Sequence, residues 1–396
     1  MSTSATIPTS EELVSRVAEL TPLISKYAAQ ADTERHLADE VVSALAEAGL
    51  FKLGTPARFG GYEAPMRTWL DVCSAIAEAD GSAAWVTTII NSQGFILGLY
   101  PEEAQDEVYS LDPEPLICGV FAPTAQCRKV SGGWQVTGRW YYASGSPHAT
   151  WASVGVPVTN EEGETVDQGA ALIPRSQFTV EDTWFTAGMR GTGSNCIVAE
   201  DVFVPEHRVA SVTAGLAGKN VEEHPESALY RSNLGSVLAI TAVGTHLGLA
   251  RAALSLVREK GQVKAIPYTF FPRQADSTAF QLQLAEAALR IDTAHLHAYR
   301  AADDVDRAAA QSEHLSMFLR ARVRADTGYV AENVCAALQT LLSAHGAASF
   351  AESHVLQRIW RDANTSARHG GVVGAVGYEA FGQVLAGLDQ TLTPLL

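Results

Sequence analysis

Cysteine is scarce and unpatterned in this 396-residue chain. The five residues Cys73, Cys118, Cys127, Cys196 and Cys335 include no C-x-x-C pair. That excludes a zinc knuckle, gives no disulfide framework, and places the chain in a reducing, cytoplasmic setting. Basic residues are in deficit, 28 against 44 acidic ones, for a net charge of −16. Such a surface repels nucleic acid, and no basic stripe interleaved with aromatics offsets it. Asp, Glu, Arg or Gly interrupts every apolar run before the ~18 residues that span a bilayer, so no membrane association is expected. The first residues, MSTSATIPTSEELVSRV, lack the basic-then-apolar order of a secretory signal.

Several catalytic signatures are also missing. No G-x-G-x-x-G follows a strand pattern; the nearest string, Gly191-Thr192-Gly193-Ser194-Asn195-Cys196, lacks the third glycine and the helix. There is no phosphate-binding lysine loop, so the chain is expected to carry no nicotinamide site of its own. H-E-x-x-H and G-x-S-x-G are absent. His295 and His297 stand two apart in a helical stretch, which turns their rings to different faces, so no metal is expected.

What is present is 47% apolar sequence of a length suited to two or three domains. Residues 1–112 read as helical. Leu37, Val41 and Leu45 repeat every four residues, Gly49 is a stop, and Asp80-Gly81-Ser82 is a break that opens a new helix. Residues 113–213 turn to β-branched and aromatic residues with frequent turn signals, among them a hairpin about Gly132-Gly133. Near its end Cys196, Val198, Glu200, Val202 and Val204 alternate with Ile197, Ala199, Asp201 and Phe203, and the first set is expected to face inward. Residues 225–396 carry three long Ala/Leu/Arg-rich stretches that imply a helical bundle, after a flexible connector at 214–226. The expected fold class is α+β, mostly α: a helical domain, a small β-barrel or sandwich, then a four-helix bundle.

Three places stand out chemically. Ser144 ends a strand beside Gly145, which suits either a turn serine or a hydroxyl presented to a closely approaching molecule. Gly188-Met-Arg-Gly-Thr-Gly-Ser194 offers free N–H groups, two hydroxyls and the cation of Arg190. It suits either a tight inter-strand connection or an anion- or cofactor-facing loop. His369 closes a polar helical stretch before Gly370-Gly371, as a packed or solvent-facing ring or as an acid–base group.

Five stretches, in order, resemble the acyl-CoA dehydrogenase superfamily, in its group D branch of two-component flavin-dependent monooxygenases. They are Gly54-Thr-Pro-Ala-Arg-Phe-Gly-Gly61, Ala79-Asp-Gly-Ser-Ala-Ala-Trp85, the run from Gly138 to Trp151 containing Tyr142-Ala-Ser-Gly-Ser, Gly188 to Ser194, and Trp360-Arg-Asp-Ala-Asn-Thr-Ser-Ala-Arg-His369. The resemblance covers 34–387. It implies an oxygenase component that uses reduced FAD, or FMN, and dioxygen through a flavin C4a-hydroperoxide. A separate NAD(P)H:flavin reductase would supply the flavin, and the assembly would be a homotetramer built as a dimer of dimers. It implies Ser144 at flavin N5 and His369 at the reacting face as base and peroxide partner. Phe121, Ala122, Thr124, Trp184, Arg190, Thr192 and Ser194 would lie around the flavin, with Arg273 and Gln281 reaching across subunits. Trp85, Asn91, Gln93 and Phe95 would face substrate, although Trp85 and Phe95 suit a core equally well.

Within the superfamily, the dehydrogenases need a carboxylate to remove an α-proton. Neither 363–378 nor 244–257 contains Asp or Glu, and His369 stands in the first stretch. That places the dehydrogenase reading second, and the acceptor expected from the resemblance is an electron-rich aromatic: a phenol, an indole or a polycyclic natural product. The alternatives are an acyl-CoA dehydrogenase-type FAD enzyme, an amino-sugar N-oxygenase and a non-catalytic helical scaffold.

Overall fold

The computed structural model describes residues 7–389, 392–393 and 396. The first segment is helical: α1 (Ser10–Glu34), α2 (Asp39–Glu47), α3 (Met66–Ala79), α4 (Gly81–Leu97) and α5 (Glu102–Leu111). Thr9 and Glu12 form a reciprocal capping box that starts α1. Asp80 ends α3 in extended conformation, and its carboxylate accepts the Ala83 N–H at 2.8 Å, so one residue stops one helix and starts the next.

Eight strands follow: β1 (Ile117–Val120), β2 (Gln126–Val130), β3 (Gly133–Ala143), β4 (Trp151–Thr159), β5 (Thr165–Pro174), β6 (Thr179–Glu181), β7 (Asn195–Pro205) and β8 (Val209–Ser211). They form two four-stranded sheets, β1-β4-β5-β8 and β2-β3-β7-β6, antiparallel except for β1 with β4. The sheets enclose their own core, which includes Trp140, Val154, Ile173 and Ile197.

The expected inward set on β7 is corrected by a bulge. The pairing of β3 with β7 shifts register between Val136 and Gly138, and Asp201 takes φ 49°. Before the bulge Ile197 and Ala199 are buried in the sandwich; after it Val204 is, and Phe203 faces out. One inserted residue moves every later side chain to the other face.

The last segment runs through α6 (Val212–Ala217), α7 (Asn220–Glu223), α8 (Leu234–Thr241), α9 (Gly244–Gly261), α10 (Thr278–Ala310), α11 (Met317–His345), α12 (Val355–Ser366) and α13 (Gly374–Leu385). The stretch expected to be a flexible connector carries the short helices α6 and α7. Buried Ala287, Ala294, Ala298 and Ala301 let α10 lie close against α11. By composition Leu234–Gly261 is apolar enough to cross a membrane, contrary to the expectation for apolar runs. Yet 78% of its apolar window is buried, and α3 packs on α9, so this is a core segment. Helices of the first and last segments share one hydrophobic core, and the β sandwich has a second.

Candidate active site

Where the sandwich meets both helical segments, side chains from four distant parts of the chain converge. The pairing of β3 with β7 is irregular between Trp140 and Ala143, and Tyr142 takes φ 71°. This turns the Tyr142 ring outward and leaves Ser144 buried at the strand end. The Ser144 hydroxyl accepts the Trp85 indole N–H at 3.1 Å, from the first turns of α4. It also lies 2.8 Å from the Ser194 hydroxyl. Ser194 lies 2.6 Å from Thr192 Oγ1, and the Thr192 hydroxyl donates to the Met189 carbonyl at 2.8 Å. That carbonyl also accepts the Trp184 indole N–H at 2.8 Å.

The loop is shaped by its glycines and pinned by α12. A Cβ on Gly188 would sit 2.2 Å from the carbonyl oxygen of Arg361, so only glycine allows this approach. Met189 is buried with φ 54°, and its N–H donates to Asp362 at 2.6 Å. Asp362 is itself buried. Burial first, and then the like charge of Asp80, push its carboxyl up to about 7; burial also raises Asp80 to about 6. The motif from Trp360 to His369 contains Asp362, yet nothing in its spacing indicates a partner 173 residues away.

His369 follows α12, and its ring meets Trp85 edge-on with centroids 5.3 Å apart. Solvent reaches the imidazole in its recess, while the surrounding protein, helped by the Arg324 cation, holds its pKa below the usual histidine value. The Gly371 N–H donates to His369 Nδ1 at 3.1 Å. The neutral ring therefore carries its proton on Nε2 and is a hydrogen-bond donor there. Acting as a base, the role expected from the sequence, requires release of the Gly371 contact. Arg324, which sequence reasoning passed over, holds this turn by donating to the carbonyls of Gly370 and Gly371.

The other expected residues fall in different places. Trp184 stands beside Tyr142, with ring centroids 6.1 Å apart. Arg190 donates to the carbonyls of Asp32 and Thr186, so its cation braces the loop against α1. Thr124 donates to the Arg139 carbonyl. Asn91 is buried, and backbone groups of Leu50, Leu53 and Thr87 use its amide. Gln93 packs on Gly119 of β1, and Phe95 is core, stacked on Tyr230 at 5.7 Å. Arg273 pairs with Asp276, and Gln281 donates to the Ala275 carbonyl; both are exposed and outside the convergent group.

Phe121 and Ala122 line a cavity of about 1060 Å³ between α4, the sandwich and α6–α8. Its wall includes Leu238, whose carbonyl oxygen lies 3.9 Å from where a Gly371 Cβ would be; that Cβ position is 3.0 Å from His369 Nδ1. Ile96, Leu99, Leu216 and Leu234 give it an apolar interior. Two tyrosines on the wall have spent their hydroxyls on backbone, Tyr100 on Ala170 and Tyr230 on Gly54.

The donor set fits a flavin. Three linked hydroxyls, two indoles and an imidazole are joined through hydrogen bonds and one ring contact, and the Ser144 oxygen uses two of its three hydrogen-bonding positions within the protein.

Comparison with known proteins agrees with this chemistry. Residues 10–110 match the acyl-CoA dehydrogenase N-terminal domain, and residues 240–373 match the acyl-CoA dehydrogenase C-terminal domain. The flavin-dependent monooxygenase oxygenase subunit HsaA of Mycobacterium tuberculosis is 32% identical over 385 residues, 96% of each chain. The oxygenase component of the FADH(2)-dependent resorcinol hydroxylase of a Rhizobium species is 30% identical over 90% of each chain. The structure of XiaF from Streptomyces, in complex with FADH2 and glycerol, superimposes with a TM-score of 0.94 at 37% identity over 97% of both chains. The chain belongs to the acyl-CoA dehydrogenase superfamily, in the branch formed by the oxygenase components of flavin-dependent monooxygenases, and is a flavin-dependent oxidoreductase.

Proposed function

We propose that this oxygenase hydroxylates an uncharged polycyclic aromatic, using reduced flavin made by a separate NAD(P)H:flavin reductase. When bound, reduced flavin supplies the electrons that activate dioxygen for insertion of one oxygen atom. Ser144, Ser194, Thr192 and Trp184 would hold it, and His369 Nε2–H would donate a hydrogen bond at the reacting face. Trp85 would fix Ser144 and wall the recess against water. The dehydrogenase alternative lacks its base, since no carboxylate lies in 363–378.

The cavity is the observation that supports this acceptor. Its volume is at the top of the roughly 300–1,000 Å³ span of small-molecule pockets, larger than a single phenol ring requires. Its two permanent cations are already paired: Arg58 with Asp106 at 2.6 Å, and Lys219 with Glu223 at 2.8 Å. Glu63, Glu102, Glu223 and Glu226 also line it. A carboxylate on the acceptor would find no free cation there and would meet like charge at the rim. A matched pair tests this: 2-naphthol is expected to be hydroxylated with higher kcat/KM than 6-hydroxy-2-naphthoate, most of all at low salt. A preference for the naphthoate would refute the uncharged class. Failure to oxidise either compound, or carbazole, would refute the aromatic acceptor.

A homotetramer is supported by apolar surface on the last segment. Leu282, Leu289 and Leu296 recur every seven residues along α10, each at least 66% exposed, the spacing of a helix–helix seam. Tyr268 and Phe270 project fully from the connector before α10. Arg273 and Gln281 lie on this same stretch, which supports their reaching a neighbouring subunit. The five cysteines are free thiols, in keeping with a cytoplasmic setting.

A further inference from the structure

We propose that Asp362 is a positioning residue for oxygen transfer: by holding the Met189 peptide it sets the flavin-holding loop against the helix that leads to His369. The inference rests on the reading that Thr192, Ser194 and Trp184 hold the flavin and that His369 faces it. It adds what fixes one side of the site to the other.

Three elements that bring side chains to the site meet at this carboxyl. The first is α12, which carries Asp362 and runs on to His369, whose N–H donates to the Ser366 carbonyl at 2.9 Å and so extends the helical turn. The second is the loop, through the Met189 N–H at 2.6 Å. The third is α4, the helix of Trp85: a Cβ on its Gly81 would lie 3.5 Å from Asp362 Cβ. The Met189 peptide carries the connection onward. Its carbonyl accepts the Trp184 indole N–H at 2.8 Å and the Thr192 backbone N–H at 3.2 Å, so two of the residues proposed to hold flavin hang on the peptide that Asp362 holds.

The junction has little slack. A Cβ on Gly188 would sit 2.2 Å from the Arg361 carbonyl oxygen, and one on Gly191 would sit 2.9 Å from Ser82 Cβ. Met189 takes φ 54°, an unfavourable conformation for a residue with a side chain, so its peptide needs an outside partner to stay there. Asp362 and Met189 are both buried, so no water stands ready to replace the carboxyl. Without that acceptor the loop and α12 are free to part. Oxygen transfer needs the reacting groups at a fixed separation and water kept out, so the loss falls on product yield rather than on flavin oxidation.

The test is hydrogen exchange of the full-length protein, first without flavin and then with dithionite-reduced FAD under anaerobic conditions. In wild type, reduced FAD is expected to slow exchange both in the loop, 186–194, and in the turn, 367–372. In Asp362→Ala both segments should exchange about tenfold faster without flavin, and FAD should then protect the loop but not the turn. Asp362→Asn keeps an acceptor oxygen and should restore protection of both. With 2-naphthol and dioxygen, Asp362→Ala should release about tenfold more hydrogen peroxide per hydroxylated product, and Asp362→Asn should reverse that change. If Asp362→Ala does not fold, Gly188→Ala carries the test with the same expectations, since its added methyl forces the loop off Arg361. FAD protection of both segments in the folded variant overturns the positioning role, and so does an Asp362→Asn that behaves like alanine. Protection of neither segment in wild type would instead overturn the placement of the flavin.

Discussion

Asp362→Asn is the substitution whose effect follows most directly from the structure. The carboxyl is 2% exposed, accepts the Met189 N–H at 2.6 Å, and titrates at about 7 because it is buried near Asp80. In the unfolded chain it titrates near 4. Between those values the folded protein keeps a proton that the unfolded chain has lost. Stability is therefore expected to fall as pH rises from about 4 to about 7, with the full deficit above that. Asparagine keeps an acceptor oxygen for Met189 and removes the titration. Its advantage over wild type should grow from pH 5 to pH 8 by about 2 kcal/mol, with allowance for titration shared with Asp80. Asp362→Ala, by contrast, leaves the buried Met189 N–H unpaired and should destabilise at both pH values by about 1–3 kcal/mol. The assay is urea unfolding followed by circular dichroism at one protein concentration. Parallel stability curves for wild type and Asp362→Asn between pH 5 and 8 would refute the assignment of a buried, protonatable carboxyl.

His369→Ala should lose hydroxylated product while flavin oxidation continues as hydrogen peroxide release, read by a peroxidase-coupled assay; an unchanged product yield would remove His369 from the reaction. Arg324→Met removes a cation that opposes protonation of His369, so the imidazole pKa should rise, seen as a shift of its Cε1–H titration to higher pH. Leu289→Lys puts a charge on the exposed leucine row of α10 proposed as a subunit seam, and should move the sedimentation coefficient toward a smaller species, with the helical content unchanged.

Much of the fold was legible because local chemistry writes it. Asp80 followed by Gly81 marks a helix break wherever the segment lies, and Gly132-Gly133 marks a hairpin. The alanine-rich stretches past residue 276 are long helices by spacing alone. The β7 faces were not legible, because a bulge is set by pairing with β3 and moves the alternation without changing composition. The core segment Leu234–Gly261 shows the same limit: its apolar character is visible in the sequence, but its burial against α3 is not.

For the site, sequence supplied the motif residues Ser144, Ser194 and His369, and with them the family. Their arrangement needed the fold. Ser144 meets Trp85 only because an irregularity in β3 turns it inward, and Met189 meets Asp362 only because α12 closes over a loop of glycines. Asn91 shows the converse. A polar residue in the right neighbourhood was drawn into backbone hydrogen bonds, since a buried amide must satisfy its own donors and acceptor first. Residue types and their order thus determined what chemistry the chain carries. Which atoms face one another was decided by contacts between residues far apart in the chain, which no local pattern encodes.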